Sequence, residues 1–311
     1  MATDAFFDGT PLSEEQFAFL PNDRTHLNSV IKELTRVFRL PAETRHTVRY
    51  GWDVIAILFE DNIVVRFPRN VIAWKKMQRE EIVLGKVAPL LPYPVPIPQT
   101  MTKPRQLSVH RMIPGRNLTR CDFRSWSHTR QQSLAEELAD LFLAFHNLPA
   151  SLFEFGIQQS TTRVTLTDAL DRIRKEQKYG WLQHLEKPLT KGFARWLQHD
   201  SEVFSHFDLH GSNILMDPKK MRISGIIDFL DCGVGSKFYD ISKVSKIDIG
   251  LVESVWRAYS NRADRAERLI QLIALYGILE QLSDILICEI SRAKATKRMK
   301  IVQGLVEILE D

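Results

Sequence analysis

Two short stretches decide the fold of this chain: SHFDLHGSNIL at residues 205–215 and GIIDF at residues 225–229. The first places the carboxylate of Asp208 five residues before the amide of Asn213, and the second contains a further carboxylate, Asp228. Apolar residues on both sides of the turn sequence DPKK predict a β-hairpin between these polar groups. The hairpin therefore separates two sets of polar side chains that could act together.

These three side chains suit phosphoryl transfer. Asp208 could orient a substrate hydroxyl and accept its proton, while oxygens of Asn213 and Asp228 could hold a divalent metal ion on nucleotide phosphates. Mg²⁺ prefers oxygen ligands and keeps several waters, so few protein ligands suffice. The spacing thus indicates a nucleoside triphosphate as phosphate donor and Mg²⁺ as the metal.

The hairpin lies in a part of the chain that is otherwise helical. Amphipathic patterns after Pro114-Gly115 predict helices near residues 130–147, 166–184, 188–199, 249–261 and 264–309. We therefore expect a mainly helical C-terminal lobe over residues 114–311, with one small β element that carries the catalytic loop.

The chain before that turn has a different pattern. Apolar and β-branched residues over 44–59 and 63–67 predict an antiparallel hairpin or meander, and residues 107–113 predict another strand. Helical patterns end at Pro41 and cover residues 71–91. Residues 1–113 are therefore predicted to form a smaller, β-rich N-terminal lobe, and the fold class is α+β.

Together, the stretches around Asp208 and Asp228 resemble motifs of the aminoglycoside phosphotransferase family. This kinase-like group also includes macrolide, choline and homoserine kinases. The resemblance implies a protein-kinase-like two-lobed fold, in which ATP or GTP donates its terminal phosphate to a small hydroxyl-bearing molecule by in-line transfer between the lobes. It implies Asp208 as the catalytic residue and Asn213 and Asp228 as Mg²⁺ ligands. We also expect His206 to be a hydrogen-bonded structural residue and Asp240 to be a carboxylate that binds the catalytic loop.

The N-terminal lobe has further similarities to this family. YGWD at residues 50–53, which includes Gly51, and VRFPR at residues 65–69 are similar to the hairpin that covers the nucleotide. Arg66 stands where many relatives have a phosphate-binding Lys, and a guanidinium can also bind phosphate oxygens. We expect Glu81 to hold Arg66 in place, in preference to its neighbour Glu80.

The strand that ends at HRMIPG, residues 110–115, matches the hinge of these enzymes. The resemblance implies that the backbone there, at Arg111 and Ile113, meets the nucleotide base. Two departures concern the acceptor side: Leu230 stands where many relatives have Gly, and Ser236-Lys237 replaces the Asp-Pro of a frequent Gly-Asp-Pro.

The acceptor is predicted less directly than the donor. A polycationic aminoglycoside needs carboxylates near the catalytic loop, and Asp231, Glu280 and Asp284 are candidates. Lys243 and Lys246, however, would repel a polycation. An aminoglycoside is therefore the first expectation, and a neutral or singly charged acceptor is the close alternative. His210 is the remaining candidate for lining the acceptor site, and the sequence equally allows it to be a solvated loop residue.

Composition excludes several functional classes. The 311 residues include 42 basic and 38 acidic side chains, and this net charge of +4 is spread evenly, which disfavours a nucleic-acid partner. Polar residues interrupt the most apolar stretch, 269–288, so no membrane partner is expected. Three distant cysteines and an acidic N-terminal segment favour a cytoplasmic protein.

Three alternative functions remain open at this stage. The acceptor could be a small amino alcohol or another metabolite instead of an antibiotic. A catalytically silent binding protein could keep the kinase-like fold, although it would not need Asp208, Asn213 and Asp228 together. A metallohydrolase could use His206, Asp208 and His210, which have the alternating spacing of metal ligands on a strand.

Overall fold

The computed structural model describes residues 24–102, 106–149, 152, 166–175, 180–263, 269–286 and 292–310. Within these ranges the α-helices are α1 Arg24–Val37, α2 Val71–Val87, α3 Arg120–Ser125, α4 His128–His146, α5 Leu166–Lys175, α6 Glu186–Trp196, α7 Lys237–Ser242, α8 Ile249–Ser260, α9 Ile270–Leu286 and α10 Arg292–Glu310. The β-strands are β1 His46–Tyr50, β2 Val54–Phe59, β3 Ile63–Pro68, β4 Gln99–Met101, β5 Leu107–Arg111, β6 Arg116–Asn117, β7 Glu202–Ser205, β8 Ile214–Met216, β9 Ile223–Ile226 and β10 Gly233–Ser236. Among the helices described, none combines the length and apolar character needed to cross a membrane.

The chain divides into two compact units. The first contains the described residues up to Pro89, Pro94–Pro114 and Ile226–Leu230, and the second contains Leu90–Tyr93, Gly115–Gly225 and the described residues from Asp231 onward. The predicted division after residue 113 differs from this one at residues 90–93, at Pro114 and, most importantly for the site, at residues 226–230. That segment belongs to the first unit because its backbone and side chains bind there, as the Ile226 N–H does when it donates to the Pro94 carbonyl at 3.0 Å.

A five-stranded antiparallel sheet forms the centre of the first unit, in the order β1-β2-β3-β5-β4. The alternation in β2 buries Ile55, Ile57 and Phe59, which pack with α1 through Val30 and Leu34. The same pleat sets the register in which Arg66 of β3 lies opposite a residue of β5, Ser108. This sheet therefore fixes the position of the residue expected to bind phosphate.

Helices make up most of the second unit. The pattern predicted over 166–184 includes α5, which ends at Lys175, and a separate 3₁₀ helix at Gly180–Leu185. The pattern predicted over 264–309 includes two helices, α9 and α10, while residues 264–268 and 287–291 lie outside the described residues.

Two small sheets in the second unit frame the loop that is predicted to be catalytic. Strands β7 and β10 pair antiparallel, and β6, β8 and β9 form a three-stranded sheet. The sequence analysis did not predict β10, because Gly233–Ser236 has no apolar alternation, and its extended backbone depends on pairing with β7. The loop between β7 and β8 carries Asp208 and Asn213.

Candidate active site

Three polar side chains meet on the loop between β7 and β8. Asn213 Nδ2 donates to Asp208 Oδ2 at 3.1 Å and to the Asp208 carbonyl at 2.9 Å. His210 Nε2 lies 3.4 Å from the same carboxylate oxygen, and its Nδ1 accepts from the Ser212 N–H at 3.3 Å. The structure therefore brings His210 to Asp208, a contact that the sequence analysis had left open.

A hydrogen bond and nearby ammonium groups favour the ionised form of the Asp208 carboxylate. Burial raises the pKa of Asp208, but the hydrogen bond with His210 and the ammonium groups of Lys246 and Lys243 lower the pKa well below its usual range. Asp208 is therefore ionised at neutral pH. An ionised carboxylate can accept a hydrogen bond from a hydroxyl and orient it.

A buried carboxylate, Asp240, fixes the shape of this loop. It accepts hydrogen bonds from the N–H groups of His206 at 3.2 Å and Phe207 at 2.7 Å. His206 Nδ1 in turn accepts from the N–H of Asp208 at 3.2 Å. These contacts hold Phe207 at a φ of 61°, a left-handed conformation that costs a non-glycine residue about 1–3 kcal/mol.

His146 and Tyr259 support Asp240 from α4 and α8. His146 Nε2 lies 3.4 Å from Asp240 Oδ2, and its Nδ1 lies 3.0 Å from the Tyr259 hydroxyl. Burial, with the charge of Asp240, raises the pKa of Tyr259 to about 12. The sequence analysis missed both residues, although a histidine at the end of the apolar run LFLAF could have signalled a buried polar contact.

In the first unit, Arg66 forms a bidentate ion pair with Glu80. Arg66 Nη1 donates to Glu80 Oε1 at 3.1 Å, Nη2 donates to Oε2, and Nε donates to Ser108 Oγ at 3.1 Å. Burial lowers the pKa of Arg66, but the charges of Glu80 and Asp228 raise it by more than burial lowers it. The guanidinium therefore stays charged.

The prediction that Glu81 pairs with Arg66 is wrong. The Glu81 carboxylate instead accepts from the N–H of Thr100 at 3.0 Å and from its hydroxyl, beside β4. Successive residues of an α-helix point about 100° apart, so only one of the two neighbouring glutamates can face β3. Glu80 is the one that does, and it is fully buried.

Asp228 also lies in the first unit, on a segment bound to α2. Its φ is 67°, again left-handed for a non-glycine residue. The next residue, Phe229, donates its N–H to Glu80 Oε1 at 3.1 Å, and Arg79 Nη2 donates to the Leu230 carbonyl at 2.7 Å. Leu230 is buried against two apolar residues of α2, Trp74 and Met77.

The other residues predicted to bind nucleotide lie at strand ends of the same unit. The Gly51 N–H donates to the Val54 carbonyl at 2.9 Å, and its own carbonyl accepts from Arg69 Nη1 at 2.8 Å. Exposed Arg111 ends β5, and Ile113 follows it, half-buried. Contact of these residues with a nucleotide stays a prediction.

The two predicted Mg²⁺ ligands lie in different units, Asn213 in the second and Asp228 in the first, and each can be compared with the chemistry of Mg²⁺ by itself. The NH₂ group of Asn213 is committed to Asp208, which orients the amide so that its oxygen can serve as a ligand. The charge of Asp228 is felt by Arg66, whose guanidinium can bind phosphate. Hard oxygen donors of this kind match Mg²⁺ better than a softer metal. Over the described part of the chain, no group of three or more His, Cys, Asp or Glu side chains forms a candidate metal site.

Glu280, a candidate acceptor-binding carboxylate in the sequence analysis, is instead part of a buried ion cluster. It is buried, and Lys243 Nζ and Lys246 Nζ lie 2.8 Å and 2.6 Å from its two oxygens. The Tyr239 hydroxyl donates to it at 2.7 Å. Burial raises the pKa of Glu280, but the two ammonium groups lower it well below its usual range.

Of the other acceptor candidates, Asp231 is half-buried in the second unit. The side chain of Asp284 lies outside the described residues. In the Ser236-Lys237 departure from the family pattern, Ser236 Oγ accepts from the Tyr239 N–H at the start of α7, and the Lys237 ammonium lies 5.0 Å from the centre of the Phe238 ring.

Comparisons with known proteins show the family and the fold of the chain. Residues 47–270 match the phosphotransferase enzyme family. A curated relative, an aminoglycoside 3'-phosphotransferase from Streptomyces fradiae, is 25% identical over 172 residues, which cover 50% of this chain and 62% of the relative. The match thus spans less than two thirds of the relative's length.

Solved structures resemble the chain over more of its length. The GDP complex of wild-type aminoglycoside 2'-phosphotransferase-IIIa has a TM-score of 0.69 at 16% identity, covering 92% of this chain and 100% of that one. A macrolide 2'-phosphotransferase type I has a TM-score of 0.59 at 20% identity, covering 96% and 98%. At these identities the likeness shows the fold, and it confirms the predicted kinase-like fold.

Proposed function

Because the chain belongs to the phosphotransferase enzyme family, we propose that it transfers the terminal phosphate of ATP or GTP to a hydroxyl of a small molecule. The observation that carries the proposal is the loop geometry of the second unit. There, an ionised Asp208 is bound by Asn213 and His210, and Asp240 holds the loop in place.

Asp208 is proposed as the catalytic residue that receives the acceptor hydroxyl. Phosphoryl transfer has a loose transition state, so catalysis depends mainly on positioning and on neutralising charge. A carboxylate with a low pKa is a weak base in the ground state, but it accepts a hydrogen bond and aims the hydroxyl oxygen at phosphorus. The proton moves to it as the new bond forms.

In the first unit, Arg66 and Asp228 are proposed to bind the phosphates of the donor. The bidentate pair with Glu80 orients the guanidinium of Arg66, and its charge complements phosphate oxygens. Asp228 is proposed to ligate Mg²⁺ with Asn213, and the bound ion would supply positive charge to the nucleotide phosphates. Structures of similar proteins that contain GDP or ADP support a nucleoside triphosphate as the donor.

The names of similar proteins suggest acceptor classes, and the contacts of Glu280 help to choose between them. Aminoglycosides occur in the names of several similar proteins, and a macrolide in another, so both antibiotic classes are candidates. Glu280, however, already binds Lys243 and Lys246 and cannot lend its charge to a polycation. This observation favours an acceptor with at most one positive charge, such as a macrolide or a small amino alcohol. A cytoplasmic location would suit this reaction, and antibiotic resistance would follow from an antibiotic acceptor.

A panel assay tests the proposal. The purified chain is incubated with Mg²⁺ and ATP or GTP, together with aminoglycosides, macrolides and small amino alcohols in turn. We expect one acceptor class to gain one phosphoryl group by mass spectrometry, with an equal amount of nucleoside diphosphate released. Nucleotide turnover that no acceptor increases, together with no phosphorylated product, would contradict the proposed transfer.

A further inference from the structure

Two consecutive residues of α2 bind two consecutive backbone groups that follow Asp228. Glu80 Oε1 accepts from the Phe229 N–H at 3.1 Å, and Arg79 Nη2 donates to the Leu230 carbonyl at 2.7 Å. Glu80 also pairs with Arg66, so its role in the site is already explained. Arg79 has no part in the chemistry proposed above, and its contact needs a separate explanation.

The backbone at Asp228 needs support from its surroundings. Its φ of 67° is unfavourable for a side chain with a Cβ atom, and such conformations persist only where neighbouring contacts determine them. The hydrogen bonds on Phe229 and Leu230 begin directly after the strained residue. They therefore restrict the backbone on which the orientation of the Asp228 carboxylate depends.

Leu230 adds an apolar contact to these hydrogen bonds. Its side chain is 4% exposed and packs against Trp74 and Met77, both on α2. A glycine in its place would have no side chain to bury and greater backbone freedom. The same helix thus holds residue 230 by its carbonyl, through Arg79, and by its side chain.

We propose that Arg79 and Leu230 are positioning residues that set the Asp228 carboxylate for Mg²⁺ before the nucleotide binds. This inference rests on the proposed function, in which Asp228 is a metal ligand. Groups that orient a metal ligand affect metal affinity without touching the metal. Loss of either contact should therefore reduce the benefit that Mg²⁺ brings to nucleotide binding, and leave metal-free binding largely unchanged.

The test compares nucleotide affinity with Mg²⁺ and with a chelator, by calorimetry, in the parent and in variants. Arg79→Met removes the donor at similar length, Arg79→Lys keeps a donor, and Leu230→Gly removes the apolar contact. Lys75→Met, an exposed position of the same helix, is the matched control. Thermal melting without nucleotide shows which variants fold.

We expect Arg79→Met and Leu230→Gly to lose about tenfold or more of the Mg²⁺-dependent gain in affinity. Arg79→Lys should keep part of that gain, and Lys75→Met should keep all of it. Equal losses with Mg²⁺ and with the chelator, or a full gain in both Arg79→Met and Leu230→Gly, would overturn the inference. If Arg79→Met does not fold, Leu230→Gly and Arg79→Lys decide the question.

The parent protein separates this inference from the proposed function. A parent that binds nucleotide no better with Mg²⁺ would overturn the proposed metal role, and the inference with it. A parent that shows the gain, while both positioning variants retain it, would overturn the inference alone.

Discussion

Single side chains set the charge state of the site. The carboxylate of Asp208 is ionised because the hydrogen bond with His210 and the positive charges of Lys246 and Lys243 outweigh the effect of burial. Arg66 stays charged because Glu80 and Asp228 outweigh the effect of its own burial. In the proposed reaction, the phosphates of the donor would therefore meet the cationic Arg66, and the acceptor hydroxyl would meet the anionic Asp208.

Replacement of Asp208 tests its catalytic role. Asp208→Asn keeps the volume but removes the ionised oxygen that accepts the hydroxyl proton. We expect kcat to fall by about 10²-fold or more, with nucleotide affinity and melting temperature nearly unchanged. The measurement is steady-state turnover with the acceptor found in the panel. A variant with near-parental kcat would show that another group receives the proton.

The neighbouring glutamates of α2 provide a matched pair of variants. Glu80→Gln removes the carboxylate that pairs directly with the buried Arg66, which should lower the free energy of unfolding by about 3–5 kcal/mol and weaken nucleotide binding. Glu81→Gln alters only contacts with Thr100, and its effect on nucleotide affinity should be small. Urea unfolding and nucleotide titration check both. The reverse order of effects would restore Glu81 as the partner.

Prediction from the sequence is most direct where spacing along the chain determines geometry. Asp208 and Asn213 lie on one loop, and their separation along the chain brings the amide to the carboxylate. The choice between Glu80 and Glu81 depends instead on the rotation of α2 about its axis, which a helix of mixed polarity does not reveal. His146 was missed for a similar reason, because only tertiary packing brings it to Asp240.

At the scale of elements, one buried ion cluster links the turn after α7 to helix α9. Lys243 and Lys246 lie on a 3₁₀ turn, and both bind Glu280 of α9. Replacing one member of such a cluster leaves the others buried without compensation. The cluster therefore helps to hold the segment that follows Asp240 against α9.

The low pKa of Glu280 makes this contribution depend on pH. The ordinary glutamate pKa is 4.5, and the folded value lies well below it, so the unfolded chain binds more protons as the pH falls below 4.5. The stabilising effect is therefore complete above that pH and is lost as the pH falls towards the folded pKa. We expect Glu280→Gln to lower the free energy of unfolding by about 3–5 kcal/mol at neutral pH.

The difference between Glu280→Gln and the parent should shrink as the pH falls below 4.5, as measured by urea unfolding across that range. Glu253→Gln, on the exposed side of α8, is the control and should match the parent throughout. A constant difference at every pH would show that ionisation of Glu280 is not what stabilises the fold.

At the scale of the whole molecule, the net charge of +4 does not favour a polycationic acceptor. Because Glu280 is neutralised by lysines, we expect the acceptor KM to change little as ionic strength rises from about 0.05 to 0.5 M, where the Debye length shortens several-fold. Steady-state kinetics over that range measure the effect. A KM that increases steeply with salt would instead support a polycationic aminoglycoside.

The sequence predicted the kinase-like fold because two motifs and a change in hydrophobic period mark its two parts. It did not predict the return of Ile226–Leu230 to the first unit. That return depends on contacts with α2, such as the hydrogen bond between Phe229 and Glu80, which lie far apart in the chain. Hydrophobic pattern locates elements well, but it says little about which distant elements a short segment joins.

The assignment of Ile226–Leu230 to the first unit has a consequence for synthesis on the ribosome. A nascent chain that has emerged only as far as Pro114 lacks the segment that covers Trp74 and Met77. Those side chains stay uncovered by Leu230 until Gly115–Gly225 has also been translated, and exposed apolar surface promotes aggregation. Chaperones that bind nascent polypeptides would therefore have a defined interval in which to act on the N-terminal part of the chain.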